Sequence, residues 1–162
     1  MTNKELGITQ IQRNNLNKLA DYLERGKLKV KFDMMQWAAH PSDYFHTKRK
    51  PDNRSEYSHD GWTDCGTVGC AVGHGPFAGI SKTVNEDWRE YSFRVFGGVR
   101  NKRHKITRLW WDFCFNGGWA KSDNTPQGAA ERIRYVLKHG VPRDFEIAYG
   151  SNLLFPTTYK AK

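Results

Sequence analysis

The stretch from Thr63 to Gly75 constrains the fold more than any other part of the chain. It reads Thr-Asp-Cys-Gly-Thr-Val-Gly-Cys-Ala-Val-Gly-His-Gly, which places two of the three cysteines, four glycines and a histidine within thirteen residues. Asp64 is a residue type that caps helices, and small residues then recur at helical spacing, at Gly66, Gly69, Cys70 and Gly73. Glycine in a helix costs up to about 1 kcal/mol relative to alanine, so such a helix needs compensating close packing or a ligand at its backbone. We therefore expect a central helix with a small, closely approached face.

The cysteines of this stretch are interpreted first as buried, inert thiols, because free cysteine behaves as a small apolar residue. A metal site is one alternative. It would take Cys65, Cys70 and His74 in a C-x4-C-x3-H arrangement, and Cys114 could complete a Cys3His tetrahedron for zinc. This spacing is not that of a common zinc module, so the sequence predicts no firm cofactor.

A nucleophilic cysteine is the other alternative. At a helix N-terminus the thiolate of Cys65 would be stabilised by the helix dipole. A cysteine-dependent hydrolase also needs a histidine from elsewhere, and the chain offers His40, His46, His59, His104 and His139 without marking one out. No paired-carboxylate or His/Asp signature accompanies Cys65, so the sequence favours a non-enzymatic protein and keeps the hydrolase as an alternative.

A family resemblance is carried by the pattern Cys65-Gly66-Thr67-x-x-Cys70-Ala71-x-Gly73-His74. Phe32-Asp33-Met34 and Trp37 upstream and Asn124-Thr125-Pro126 downstream belong to the same pattern. The chain resembles small uncharacterised proteins of bacteriophages and bacterial genomes over most of residues 14–142. The resemblance implies a phage-type setting, with counter-defence against the host as one expectation, and it implies no activity.

The charge balance predicts an anionic partner. Lysine and arginine number 26 against 17 aspartate and glutamate, for a net charge of +9 across 162 residues. The length predicts a single domain over residues 1–162. No apolar run is long enough to span a bilayer, and three cysteines do not make a disulfide framework. We expect a soluble protein of the cytoplasm, in the host cytoplasm if it is phage-encoded.

Helix-capping signals and apolar spacing predict a mainly α fold of about five helices around the Gly/Cys-rich central helix. Thr9 and Gln12 open a helix over residues 9–25, Thr83 and Glu86 open a second before Gly97, and Ile106 to Cys114 suit a third. Thr125 and Pro126 begin the clearest helix, which ends before Gly140. An α+β fold with a small sheet is the alternative.

The remaining segments are predicted from the absence of helical spacing. Residues 1–7 should be loose, and residues 40–62 should form a long loop. Residues 27–32 alternate lysines with Leu28, Val30 and Phe32, which indicates a short strand with its lysines towards solvent. The tail after Asp144 should wrap back onto the core.

The strongest binding signal is the basic segment at residues 97–108, which has five lysines or arginines and no acid. It is predicted to be a loop outside the core that binds nucleic acid or a nucleotide, because basic residues hold phosphates and exposed rings stack on bases. The predicted contact residues are Arg100, Lys102, Arg103, Lys105, Arg108 and Trp110. The alternatives are that the tryptophans belong to the core, and that the chain is an interaction module that inhibits a host protein.

Overall fold

The computed structural model describes residues 1–29, 31–32, 68–83, 86, 88–97, 105–116 and 121–150. Within these ranges the chain forms six helices and two strands. The helices are α1 (Asn3–Leu6), α2 (Gln10–Glu24), α3 (Trp88–Phe96), α4 (Lys105–Phe115), α5 (Pro126–His139) and α6 (Arg143–Gly150), and the strands are β1 (Lys31–Phe32) and β2 (Val68–Gly69). The prediction of a mainly helical fold is confirmed. The predicted loop at 40–62 lies outside the described residues.

Helix α2 is the element against which α5 and α3 pack. Its predicted capping box is present: the Thr9 hydroxyl accepts the amide of Gln12 at 3.2 Å, and the Gln12 side chain accepts the amide of Thr9 at 2.8 Å. Leu16, Leu19, Ala20 and Leu23 form its buried stripe. Gly26 follows with a φ of +64°, a conformation that glycine adopts without strain. The predicted helix over 9–25 is confirmed to within a residue at each end.

The N-terminal segment is ordered, so the prediction that residues 1–7 are loose is wrong. Thr2 and Glu5 form a capping box around α1, and Gly7 closes the helix in the left-handed conformation. Leu6 is buried in the core. The reason is tertiary: a four-residue helix is too short to be stable alone, and the burial of Leu6 holds it in place.

The glycine and cysteine stretch is not a helix in its described part, which corrects the predicted central helix. Residues 68 and 69 pair in parallel with residues 31 and 32, and the chain then winds through successive turns up to residue 79. The amide of His74 donates to the carbonyl of Cys70, whereas the amide of Gly75 donates to that of Val72, so four-residue and three-residue turns alternate. Residues 70–75 are nonetheless buried, as the small side chains require.

The segment before α3 carries part of the predicted Thr83 capping box. The amide of Thr83 donates to the Glu86 carboxylate at 3.1 Å, as predicted. The Thr83 hydroxyl donates to the same oxygen instead of accepting the Glu86 amide, which binds the Thr83 carbonyl. The helix begins only at Trp88. The Glu86 carboxylate also pairs with Arg94, so it serves both the Thr83 segment and helix α3.

The hydrophobic core is a single cluster to which all six helices contribute, with rings prominent among its members. α4 packs against α5 and α6, and Phe113 of α4 meets Phe145 of α6 edge to face at 5.1 Å between ring centres. Phe145 therefore packs on the core as predicted for the tail, whereas Ile147 is 62% exposed and residues 151–162 lie outside the described residues. The helical form of residues 143–150 was not predicted. The predicted single domain over 1–162 includes undescribed residues and stays a prediction. No helix in the described ranges is long and apolar enough to cross a bilayer.

Candidate functional site

The turn that precedes α5 is held by side-chain bonds to its own backbone. The carboxylate of Asp123 accepts the amide of Thr125 at 2.9 Å, and the Thr125 hydroxyl accepts the amide of Gly128 at 3.1 Å. Pro126 occupies the first helical position, as predicted. Hydrogen bonds from the amide and from the hydroxyl of Thr125 lower the pKa of Asp123 below its ordinary value, with the amide as the main cause. Asp123 is a turn residue and not a buried acid.

Gly128 allows this turn to lie directly on the first turn of α5. A Cβ atom at position 128 would collide with the backbone carbonyl oxygen of Asp123 and with its side chain. The absence of a side chain is therefore a packing requirement. It brings the carbonyl of Asp123 to the face of the helix on which Arg132 lies, one turn further along.

Arg132 is the most unusual side chain in the described structure. It is 7% exposed although it carries a guanidinium group, and its Nη1 donates to the carbonyl of Asp123. Its Nε and Nη2 have no hydrogen-bond partner in the described part of the chain, and neither has the buried hydroxyl of Ser122. Burial lowers the pKa of Arg132. An unsatisfied buried donor costs about 1–3 kcal/mol, and more when the group is charged, so this arrangement is expensive for structure alone. We call Arg132, Ser122 and the Asp123 carbonyl the Arg132 cluster.

Cys114 lies beside this cluster, within range of the positive charge of Arg132. It is 1% exposed, and burial raises the pKa of its thiol strongly although Arg132 acts in the opposite direction. A protonated, buried thiol is neither a nucleophile nor a ready metal ligand. The preferred interpretation of Cys114 as a structural residue therefore fits its surroundings.

His74 lies inside an aromatic cage made by Tyr22, Phe32 and Phe77, and it is fully buried. Its ring stacks on Phe32 at 5.5 Å, with Tyr22 at 6.0 Å and Phe77 at 6.2 Å. No group of three or more metal-binding side chains exists among the described residues, so Cys70, His74 and Cys114 do not converge on one ion. Cys65 lies outside those residues, and both the zinc site that includes it and the hydrolase that depends on it stay predictions.

The described surface carries one continuous run of exposed positive charge directly after α2. It consists of Arg25, Lys27, Lys29 and Lys31, all exposed and with no acid among them, and we call it the basic edge. Its backbone is fixed: the amide of Lys29 donates to the hydroxyl of Tyr22 at 3.1 Å, and residues 31 and 32 pair with β2. Leu28 and Phe32, which alternate with the lysines, pack against the core. The predicted alternation over 27–32 is confirmed for these described positions.

Three other basic side chains of the described surface pair with carboxylates. Arg94 pairs with Glu86 at 2.6 Å, and Lys121 pairs with Asp144 at 3.1 Å. Arg134 of α5 pairs with both Asp21 and Glu24 of α2. The acid closest to the basic edge in sequence is Glu24, and Arg134 already holds it. Exposed cations also occur at Lys4, Lys138 and Arg143, but among the described residues only the basic edge places four of them within seven positions.

The predicted contact residues at 100–110 are placed only in part. Arg100, Lys102 and Arg103 lie outside the described residues. Lys105 and Arg108 lie in the first turns of α4, so their backbone is helical and not the predicted loop, and their side chains are not described. Trp110 is 1% exposed, and its indole donates to the carbonyl of Leu6 at 3.0 Å. Its assignment as a stacking surface is wrong, because the ring belongs to the core.

The Arg132 cluster was not predicted, although the sequence carries a signal for it. In the spacing of α5, position 132 falls on the buried stripe with Ala129, Ile133 and Val136. A charged residue on an apolar stripe indicates a misplaced register, a buried structural cation or a buried functional group. The capping residues fix the register of this helix, which leaves the last two interpretations.

Comparison with known proteins adds no assignment to this geometry. No protein-family model, no curated protein and no solved structure matches the chain.

Proposed function

We propose that this chain is a non-enzymatic protein that binds an anionic partner, with nucleic acid ahead of a small nucleotide. The observation that carries the proposal is the basic edge. Arg25, Lys27, Lys29 and Lys31 present four exposed charges, and no described acid neutralises them. Positive charges at close spacing repel one another, and a row of phosphates relieves that repulsion and releases counterions.

The spread of the charges favours a long partner over a small one. The four cations occupy alternate positions over seven residues, and the chain bends at Lys29. A single nucleotide spans only part of such a row, whereas a polynucleotide presents phosphates along its whole length. The segment predicted from the sequence, with Arg100, Lys102, Arg103, Lys105 and Arg108, is a second candidate contact surface.

The proposal is tested by the salt dependence of nucleic-acid binding. For a duplex that meets all four charges of the basic edge, the logarithm of the association constant should fall against log salt with a slope of about −3.6, since each neutralised phosphate contributes about −0.9. A nucleotide held by one or two charges would give a slope of roughly −1 to −2. Fluorescence anisotropy measures this slope for a labelled duplex, a labelled single strand and a labelled nucleotide.

A charge-matched pair of variants locates the surface. The triple variant Lys27→Gln, Lys29→Gln, Lys31→Gln should lower the duplex slope by about 2.7. The control triple Lys4→Gln, Lys138→Gln, Arg143→Gln removes the same charge from other exposed positions and should leave most of the slope intact. A third triple, Arg100→Gln, Arg103→Gln, Arg108→Gln, tests the segment predicted from the sequence.

If all three triple variants lowered the salt-dependence slope equally, only the net charge would matter for binding. The basic edge would then not be the binding surface. If the parent binds no nucleic acid and no nucleotide at low salt, the proposal is wrong, and a protein partner becomes the leading hypothesis. The resemblance to bacteriophage proteins suggests the host cytoplasm as the setting and counter-defence as the purpose, and both belong to the proposal.

A further inference from the structure

Arg94, Arg132 and Arg134 differ in the acceptors that their Nε and Nη2 groups bind. These two donors point from the same edge of the guanidinium plane and match the two oxygens of a carboxylate or phosphate group. In Arg94 they bind the carboxylate of Glu86 at 2.6 and 2.7 Å. In Arg134 they bind that of Glu24 at 2.5 and 2.7 Å. In Arg132, which is the most buried of the three, no described residue supplies an acceptor for this donor pair.

The orientation of the Arg132 donor pair is fixed by its third nitrogen. Nη1 binds the Asp123 carbonyl, which the Asp123 turn and Gly128 hold in place. Because the guanidinium plane is rigid, this bond also sets the direction of Nε and Nη2. A buried donor pair that is held in one direction is preorganised for an acceptor of matching geometry.

The described groups around the cluster do not supply that acceptor. The thiol of Cys114 is buried with a raised pKa, and it therefore carries no negative charge. Asp123 and Glu131 add negative charge nearby, but both side chains are exposed, and Asp123 already accepts the Thr125 amide. The hydroxyl of Ser122 is buried and unpartnered among the described residues, and Ser122 directly precedes Asp123, whose carbonyl binds Arg132, so it is a candidate third donor.

We propose that the Arg132 cluster binds one oxyanion, which presents two oxygens to Nε and Nη2 and accepts a further bond from Ser122. The chemistry is that of a carboxylate or of a phosphate group. The site is separate from the basic edge, and it does not depend on nucleic-acid binding. It would take a single small anion or the terminal group of a larger ligand, whereas the basic edge takes a row of charges.

The experiment measures the thermal midpoint of the whole chain during titration with sodium phosphate and, separately, with sodium acetate. Sodium chloride keeps the ionic strength constant at pH 7. A bound anion should raise the midpoint along a saturable, single-site curve, because only the folded state binds it. Saturation with phosphate alone identifies a phosphoryl site, and saturation with acetate alone identifies a carboxylate site. General salt exclusion raises the midpoint without saturation.

Two conservative variants on the same helix locate the binding. Arg132→Lys keeps the charge but loses the paired donors, and it should weaken apparent anion affinity by at least about tenfold. Arg134→Lys is the matched control, since the donor pair of Arg134 is already occupied by Glu24, and it should leave the affinity unchanged. Equal affinity in the parent and in Arg132→Lys would overturn the proposal.

A measurement on the parent protein alone covers the case in which Arg132→Lys does not fold. The Nε–H resonance of Arg132 in a 15N-labelled sample should shift during the phosphate or acetate titration, with the same midpoint as the stability curve. That resonance should also become slower to exchange with solvent. A resonance that neither anion moves, or a titration that saturates with neither anion, would show that Arg132 is a buried structural cation.

Discussion

The hydroxyl of Tyr91 occupies the space that a side chain at Gly75 would need. A Cβ atom at position 75 would collide with this oxygen, which donates to the carbonyl of Ile80 at 2.7 Å. Tyr91 is fully buried, and burial raises the pKa of its hydroxyl, so the group stays protonated and donates at all ordinary pH values. The bond ties the turns after β2 to helix α3.

Gly75→Ala is expected to destabilise the chain by about 2 kcal/mol or more, because the new methyl group overlaps the Tyr91 hydroxyl. Tyr91→Phe should cost about 1–2 kcal/mol by leaving the Ile80 carbonyl without its donor. Urea unfolding of both single variants and the double variant measures the coupling. The double variant should lose clearly less unfolding free energy than the two single variants lose together. Strictly additive losses would contradict the contact between position 75 and the Tyr91 hydroxyl.

Glu86→Gln tests the carboxylate that Arg94 and Thr83 share. Burial acts to raise the pKa of Glu86, but the bonds from Arg94 and Thr83 outweigh it and hold the pKa below its ordinary value of 4.5. A lowered pKa in the folded state means that the ionised group stabilises the fold above about pH 4.5, and that this contribution is lost as the pH falls through the lower, folded value.

The variant should therefore be about 1–2 kcal/mol less stable than the parent at pH 7, and the difference should shrink towards pH 3. Urea unfolding at several pH values measures both effects. Glu131→Gln is the control, because Glu131 is exposed on α5 and forms no ion pair in the described structure. A difference that stays constant from pH 7 to pH 3 would contradict the role of the ionised carboxylate.

Gly128→Ala has two opposed effects on stability, and the larger one decides whether the variant is more or less stable than the parent. Alanine is better than glycine in a helix by up to about 1 kcal/mol, but here its methyl group would collide with the backbone and side chain of Asp123. The loss from overpacking is typically about 1–3 kcal/mol, so we expect net destabilisation. A melting midpoint at or above that of the parent would show that the turn does not rest on this helix.

The thiols of Cys70 and Cys114 are expected to resist modification in the native protein. Both are buried, at 5% and 1% exposure, and burial raises the pKa of Cys114. Iodoacetamide at pH 7 followed by peptide mass analysis should modify these two residues only after denaturant is added. Labelling of Cys65 in the native protein would favour the cysteine-hydrolase alternative, whereas fast native labelling of Cys114 would contradict its buried position.

Local signals explain which helices could be predicted from the sequence. α2 and α5 each carry a threonine cap and a closing glycine, and these chemical signals depend on few residues close in sequence. α1 carries the same signals at Thr2, Glu5 and Gly7 but was predicted to be loose, because its stability depends on the burial of Leu6.

Signals that depend on tertiary structure were harder to interpret. The small residues after Val68 fit helical spacing equally well when they form successive turns, so spacing alone did not exclude a helix. Trp110 was placed on a binding surface because it follows basic residues, yet its indole reaches the carbonyl of Leu6, which is distant in sequence. Arg132 needs both the turn at Asp123 and the register of α5 to be recognised as buried.

The packing of α2 against α5 determines when the chain can complete its core during synthesis. The two helices are separated by more than a hundred residues, so the apolar stripe of α2 leaves the ribosome well before its main partner exists. At the usual elongation rates this interval is on the order of ten seconds. During that time Leu16, Leu19 and Leu23 lack their main packing partner, so a chain whose translation stops before α5 keeps an exposed apolar stripe.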